Sequence, residues 1–280
     1  MQERQHNREL YFKELALTSR TYYLPYIARF KRMERGMNVL EVGCGDGGNL
    51  LPFAETGCNV TGVDLSENRI KDAIRFFAGQ QAQGTFIASD IFLLKGLEHS
   101  FDLILCHDVI EHIERKAAFL SDLKHYLKPG GIVFMSFPAW QMPFGGHQQI
   151  CRNKVISHLP FIHLLPSPVY KGILKAGGET QARIEELLSI KQTRTPIELF
   201  EKLAKQEFTF ADRQLYFINP HYEVKFGLKP RRLPAKSILT LSAALSAPRS
   251  SAMTHWPTTT LTMLRLRPRA CSAPRARNTL

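Results

Sequence analysis

No uncharged apolar run of about 18 residues, the length a membrane-crossing helix requires, occurs anywhere in the 280-residue chain. The first residues, Met-Gln-Glu-Arg-Gln-His, lack the apolar stretch of a signal peptide. Cysteine is sparse: Cys44, Cys58, Cys106, Cys151 and Cys271 are scattered, odd in number and never paired as CxxC. That usage argues against a disulfide framework and fits free thiols in a reducing cytoplasm, the expected location. Internal repeats are absent. Carboxylates are absent too after Glu223, where eleven of the 37 Lys and Arg residues lie, so residues 1–223 hold 26 basic against 25 acidic groups. The net charge of +12 is therefore a property of the carboxyl end. A nearly neutral main body lacks the basic patch of a nucleic-acid binder, and no nucleic-acid partner is expected.

With 44% apolar residues the chain can bury one large core carrying a cap. Residues 1–36 read as a helical lead-in, with Leu10, Tyr11, Leu15 and Leu17 at helical spacing until Thr18–Pro25 interrupts it. Strands are predicted at Asn38–Gly43, Asn59–Asp64, Thr85–Ser89, Phe101–His107 and Ile132–Phe137. Helices are predicted between them at Gly47–Thr56, at Glu67–Gly79 behind an N-capping Ser66, and at Ile113–Leu127, which stops at Lys128-Pro-Gly-Gly131. This alternation predicts an α/β fold, a Rossmann-like doubly wound sheet. After Phe137 the prolines at 138, 143, 160, 166 and 168 predict an irregular cap through about Tyr170, followed by a helix at Pro196–Lys205 and a strand at Phe208–Ile218. Four divisions result: a lead-in or lid at 1–36, a nucleotide-binding core at 37–138, a cap with terminal sheet elements at 139–233, and a Ser-, Thr-, Pro- and Arg-rich tail at 234–280 that reads as disordered or out of frame.

The segment Val39-Leu-Glu-Val-Gly-Cys-Gly-Asp-Gly-Gly48 runs a strand into a glycine cluster that opens a helix, the geometry of a nucleotide-binding loop. Glycines at 43 and 45 permit positive φ and let backbone N–H groups approach a ligand with no Cβ in the way. Gly43, Gly45 and Gly48 satisfy the GxGxxG dinucleotide fingerprint, and Asp64 follows Gly43 by 21 positions, near where that fingerprint wants a ribose-binding acid. The same residues also read as hydrophobic-Glu-hydrophobic-GxGxG, with the acid Glu41 inside the strand. This second pattern resembles motif I of the class I S-adenosylmethionine-dependent methyltransferases, particularly the group similar to ubiquinone-biosynthesis methyltransferases (methyltransferase types 11 and 12). Four later stretches fall in that family's order: Gly62-Val-Asp64, Ala88-Ser-Asp90-Ile91, Phe101–His107 and Tyr126-Leu-Lys-Pro-Gly-Gly131.

The resemblance covers residues 37–138, with an extension to about 230. It implies S-adenosylmethionine as cofactor, with Glu41, Gly43, Cys44 and Gly45 at its methionine end. Asp64 with Leu65 would lie at the ribose, Asp90 with Ile91 at the adenine, and His107 beside them. It also implies a sheet that ends in an antiparallel pair of strands, for which Phe208–Ile218 supplies one candidate. Thr260–Arg267 is the only later segment with partial alternation, its Arg265 and Arg267 would have to face solvent, and without it the sheet would keep an exposed edge.

Asp108-Val-Ile-Glu111-His112, if helical, would put Asp108, Glu111 and His112 at i, i+3 and i+4 on one face. It resembles the D/E-x-x-E-H pattern by which ubiquinone-biosynthesis O-methyltransferases and small-RNA 2′-O-methyltransferases bind a divalent metal; a helix cap and packing pair is the competing reading. His147, in a glycine-flanked loop after the fifth strand, is expected at the methyl group as general base, with Asp108 also catalytic. Tyr22, Tyr23 and Tyr26 would form an aromatic lid or pack in the core, and Pro220–Tyr222 would line the acceptor pocket. The expected reaction is methyl transfer to a hydroxyl of a small-molecule, lipid-linked or glycan acceptor by a monomer or homodimer. A non-catalytic S-adenosylmethionine-binding scaffold and an NAD(P) oxidoreductase are the alternatives.

Overall fold

The computed structural model describes residues 7–233 and 259–266. Its centre is an eight-stranded sheet in the order β3-β2-β1-β4-β5-β8-β6-β7. The strands are β1 (Asn38–Val42), β2 (Asn59–Asp64), β3 (Thr85–Ala88), β4 (Phe101–His107), β5 (Leu127–Phe137), β6 (Phe208–Ile218), β7 (Arg231–Arg232) and β8 (Thr259–Leu266). The pairs among β1 to β5 are parallel, whereas β8 runs antiparallel to both β5 and β6. Such a sheet needs helices on both faces, which is why its central strands are almost wholly apolar. The two-residue period of β1 sends Val39 to one apolar core, beside Leu103, Leu105, Phe134 and Met263. It sends Leu40 and Val42 to the other, beside Ile104, Val133, Met135 and Leu264. Glu41 shares the face of Val39, so its burial follows from strand parity.

Helices fill the connections. α1 (Arg8–Thr18) and α2 (Leu24–Ala28) are joined by a π-helical turn at Ser19–Tyr23. The expected break at Thr18–Pro25 is thus a widened turn: Pro25 brings no N–H to the carbonyl four residues back, and the π turn relieves the clash its ring would make there. A 3₁₀ turn at Gly48–Leu50 leads into α3 (Leu51–Glu55), shorter than the helix predicted over Gly47–Thr56. α4 (Glu67–Gly79) starts where predicted, the Ser66 hydroxyl accepting from Arg69 N–H. α5 (Lys116–Tyr126) begins three residues later than predicted. The Lys128-Pro-Gly-Gly131 turn is a bulge inside β5: Leu127 pairs with Phe101, and the next pair is Ile132 with Leu103.

The region after β5 is more helical than its prolines suggest. α6 (Lys154–His158), α7 (Ser167–Ala176) and α8 (Gln181–Thr193) close over a small core of Cys151, Ile156, Ile162, Tyr170, Leu174, Ile184 and Leu187. α9 (Ile197–Glu207) leads into β6, and α10 (His221–Phe226) follows it.

Within 234–280, the reading of a disordered tail is corrected at 259–266. There β8 fills the gap between β5 and β6 and buries Leu261, Met263 and Leu264. Arg265 is exposed, as the alternation requires; Arg267 and the rest of that segment lie outside the described residues. Among the described residues no helix is long and apolar enough to cross a membrane.

Candidate functional site

The carboxyl ends of β1, β2, β3 and β4 converge on the loop Gly43–Gly47, the position at which open α/β sheets bind ligands. Gly43 and Cys44 N–H both donate to the Val63 carbonyl, at 2.8 and 3.0 Å, which ties the loop to β2. Gly43 has φ +68°, and a Cβ there would lie 2.3 Å from Val109 Cγ2, so both conformation and space demand glycine. Gly48 is required for a different reason: α1 crosses it so closely that a Cβ would meet the Phe12 carbonyl oxygen at 2.5 Å.

Asp64, at the end of β2, is partly exposed and accepts two backbone hydrogen bonds, Gly45 N–H on Oδ2 and Ser66 N–H on Oδ1, each 2.9 Å. Each oxygen keeps a further lone pair for a donor in the opening. Leu65 beside it is 76% exposed. Ser89 N–H donates to the Asp64 carbonyl at 3.0 Å, which brings the end of β3 alongside. Asp90 follows, its Oδ1 accepting from Phe92 N–H at 3.0 Å. Ile91 turns inward instead: it is buried, and the Tyr126 hydroxyl donates to its carbonyl at 2.9 Å.

Glu41 is 1% exposed. Its Oε1 accepts from Asn49 Nδ2 at 2.8 Å, while Oε2 has no partner. Burial, with the Asp64 charge adding to it and the Asn49 hydrogen bond opposing it, raises the carboxyl from 4.5 to about 8. Cys44 is buried and its thiol is pushed well above the ordinary range, first by burial and then by Glu41 and Asp64.

A second group of residues lies beyond β4. Asp108 does not open an α-helix: it has φ +53°, its N–H donates to the Ser136 carbonyl at 2.8 Å, and a 3₁₀ turn spans Ile110–His112. The expected i, i+3, i+4 face therefore does not form. The turn brings Glu111 and His112 together with His147, their potential ligand atoms all lying within 4.8 Å of one another, and Asp108 is not in that set. His147 Nε2 is 3.8 Å from Glu111 Oε1. Neither Glu111 oxygen has a hydrogen-bond partner, and neither does His147 Nε2, although all three atoms are buried. Burial, reinforced by His112, lowers His147 from 6.5 to about 4, so its imidazole is neutral at pH 7. Burial raises the Glu111 carboxyl well above the usual carboxylate range, with Asp108 adding to it. The Asp108 carboxylate is 46% exposed and lies 3.8 Å from His107 Nδ1.

For two of the three tyrosines the structure takes the second of the two expected readings. Tyr23 and Tyr26 are buried in the core against Phe134, so they pack and do not form a lid. Tyr11 of α1 is the residue that the sequence did not single out for the site. Its phenol is pushed well up, first by burial and then by the Asp108 charge, with Arg69 opposing and Asp46 and Glu41 adding smaller contributions. Its ring meets His221 of α10 at 6.3 Å, and Lys225 Nζ stands 5.3 Å from the ring centroid. Arg8, one turn earlier, pairs with the buried Asp46 of the glycine loop. Burial raises the Tyr222 phenol, with the Asp108 charge adding to it and a hydrogen bond with Gln149 opposing it. The arrangement sets the Asp64 and Asp90 carboxylates at the ends of β2 and β3 on one side, and the unpartnered His147 imidazole and Glu111 carboxyl on the other. The first suits a ligand rich in hydroxyl and amine donors; the second suits removal of a proton or binding of a cation.

A family model described as a methyltransferase domain matches residues 11–162. The ubiquinone biosynthesis O-methyltransferase of Rickettsia conorii is 31% identical over 137 residues, which is 47% of each chain. Phosphoethanolamine N-methyltransferase 1 of Triticum aestivum is 38% identical over 105 residues, 37% of this chain and 21% of that protein. The chain thus spans about half, or less, of the length of these curated relatives. Among solved structures, phosphoethanolamine N-methyltransferase 2 of Haemonchus contortus in complex with S-adenosylmethionine superposes with a TM-score of 0.54 at 19% identity, over 89% of this chain and 52% of that one. The plantazolicin methyltransferase in complex with SAH gives 0.52 at 14% identity, over 93% and 87%. At these identities the likeness to solved structures is one of fold.

Proposed function

The chain belongs to the class I S-adenosylmethionine-dependent methyltransferases, and from that premise we propose that it methylates a hydroxyl oxygen of a small-molecule, lipid-linked or glycan acceptor. Membership of this family sets aside the nicotinamide alternative that the shared glycines left open. S-adenosylmethionine is the cofactor, and the residues fit it in three ways. The unpartnered, buried Glu41 Oε2 offers an acceptor to an ammonium group. The cradle at Gly43 would be filled by any side chain. Asp64, fixed by two backbone donors, has lone pairs left for a ribose diol. When bound, the cofactor supplies an electrophilic methyl group on a sulfonium.

The chain's own residues then hold and deprotonate. Glu41 with the Gly43, Cys44 and Gly45 backbone holds the methionine end. Asp64 and Leu65 hold the ribose, Asp90 and the Ile91 backbone the adenine, and His107 closes the side toward the acceptor. Tyr11, held over the loop by the Arg8–Asp46 pair, excludes water. Asp108, between Tyr11 and Tyr222, accepts a hydrogen bond from the acceptor, and His147 takes the proton from its hydroxyl.

The observation that carries the hydroxyl reading is the neutral His147 imidazole, whose buried Nε2 has no hydrogen-bond partner. A hydroxyl must lose a proton as it attacks, and a neutral imidazole can accept it. His147→Ala should lower kcat by about 100-fold and leave the affinity for S-adenosylmethionine unchanged. Undiminished turnover would reject the role. Transfer from the methyl-¹³C cofactor to phenolic, alcoholic and amine acceptors, read by carbon NMR, distinguishes oxygen from nitrogen methylation; labelled N-methyl products alone would overturn the proposal.

A second reading has its own observation. Glu111, His112 and His147 present one carboxylate and two imidazoles whose ligand atoms are mutually within reach of one ion, and the buried Glu111 oxygens lack any other partner. That set suits Zn²⁺ or Mn²⁺, and a cation held there would supply positive charge beside the acceptor oxygen. Compared with the set expected from sequence, His147 stands in place of Asp108. Exhaustive chelation should then lower the unfolding temperature and the activity, both returning with added metal, and Glu111→Gln should remove the thermal response. Full activity after chelation would reject this reading.

A further inference from the structure

Exposed apolar side chains are concentrated on one part of the cap. Of thirteen large hydrophobic residues left exposed among the described residues, five, Val155, Leu159, Leu164, Leu165 and Val169, fall within fifteen consecutive positions. Singly scattered surface leucines call for no explanation; a group this dense along the chain does. These side chains are held outward by an ordered backbone. Ile162 and His163 anchor the segment inward, while Lys191 Nζ donates to the carbonyls of His163 and Leu165 at 2.5 and 2.8 Å. Gln148 Nε2 donates to the Leu159 carbonyl at 3.1 Å.

Along this stretch of the chain the charge is of one sign. Between Asp122 and Glu179 the chain has no carboxylate, and Glu179 is itself buried with Asn153 N–H on its Oε1. Arg152 and Lys154 precede the apolar stretch, and Lys171 and Lys175 follow it on α7, all at least partly exposed. The next exposed carboxylates along the chain, Glu185 and Glu186, belong to α8. We propose that residues 152–175 of the cap form a docking surface for an anionic lipid bilayer. Leucine and valine side chains enter the headgroup boundary while the flanking basic residues meet lipid phosphates, the combination that holds peripheral proteins at an interface. Charge complementarity selects this occupant: a second copy of the same face would bring four cations against four cations.

The surface is joined to the site. The Leu159 carbonyl is bonded to Gln148, and His163 packs against Gly146, where a Cβ would lie 2.2 Å from His163 Cβ; Gly146 and Gln148 flank His147. Docking therefore brings the acceptor opening to the membrane, and the inference stands whatever group is methylated.

The test is co-sedimentation of the full chain with phosphatidylcholine vesicles and with phosphatidylcholine–phosphatidylglycerol vesicles. The wild type should bind the anionic vesicles, and less so as salt rises. The double variant L164D/L165D should lose at least tenfold in partitioning. The variant K154E/K175E, altered only at exposed positions, should lose a similar factor, since each basic residue near the surface contributes roughly fivefold. Both should keep the wild-type unfolding temperature and S-adenosylmethionine affinity. Wild type left in the supernatant would overturn the proposal. Equal binding by the charge variant would assign adsorption to the basic residues after Glu223 and overturn it as well. So would a dimer in sedimentation velocity that L164D/L165D dissociates, because the patch would then be a subunit interface.

Discussion

Asp64→Asn should weaken S-adenosylmethionine binding by about 100-fold or more, measured by calorimetry on the purified chain. Two ribose hydroxyls donating to a carboxylate make two charge-assisted hydrogen bonds, each contributing roughly 1.5–3 kcal/mol, and 3 kcal/mol is already more than 100-fold in Kd. Asparagine cannot substitute here. Both carboxylate oxygens already accept from backbone N–H groups, those of Gly45 and Ser66. An amide has a single acceptor oxygen, so its NH₂ would face one of those donors, and the glycine loop would lose part of its support as well. That second effect should appear as a stability loss of about 1–3 kcal/mol, small enough to leave the variant folded. Calorimetry that finds affinity within threefold of wild type would remove Asp64 from the ribose role.

How far such roles were legible depended on whether the signal was local. β2, α4, β4 and β6 begin and end where periodicity and capping place them, because an apolar run bounded by Ser66 or a glycine turn carries its own boundaries. β8 had no such signal. Thr-Thr-Leu-Thr-Met-Leu-Arg-Leu is a weak strand by itself and becomes one by pairing with β5 and β6, more than a hundred and about fifty positions away. α7 and α8 escaped notice because the prolines around them read as breakers, although Pro168 sits in the first turn of α7, where proline is tolerated.

The same division holds within the site. Glu41, Gly43, Asp64 and Asp90 each end or follow a strand, so their convergence follows from the parallel order of β1, β2 and β3. Tyr11 reads in sequence as one apolar position of an amphipathic helix, and only the packing of α1 over Gly48 brings that helix to the loop. Asp108 shares a face with Glu111 and His112 only if the segment is α-helical. The left-handed residue at 108 removes that premise and leaves His147, 36 positions beyond Glu111, as the third member of the cluster.

The largest pH effect is expected at Glu41. Its carboxyl is raised from 4.5 to about 8 in the folded chain, so between those values the native state holds a proton that the unfolded chain has released. Stability falls with pH wherever the native state binds more protons, so in the absence of cofactor it should decline through this window by on the order of 1 kcal/mol per pH unit and level off above about 8. Glu41→Gln, whose amide oxygen can still accept from Asn49, should flatten that decline. Cofactor binding reverses the requirement, because an ammonium group favours the ionised carboxylate and expels the proton. At pH 7 the wild type should therefore release about one proton per S-adenosylmethionine bound, seen as a dependence of the calorimetric heat on buffer ionisation enthalpy, and affinity should rise as pH approaches 8. Glu41→Gln should release none and bind at least tenfold more weakly, having lost the charge but kept the shape. Binding heats independent of buffer in the wild type would show that Glu41 stays protonated beneath the cofactor. It would then be a structural acid held by Asn49, and the methionine end would rest on the loop backbone alone.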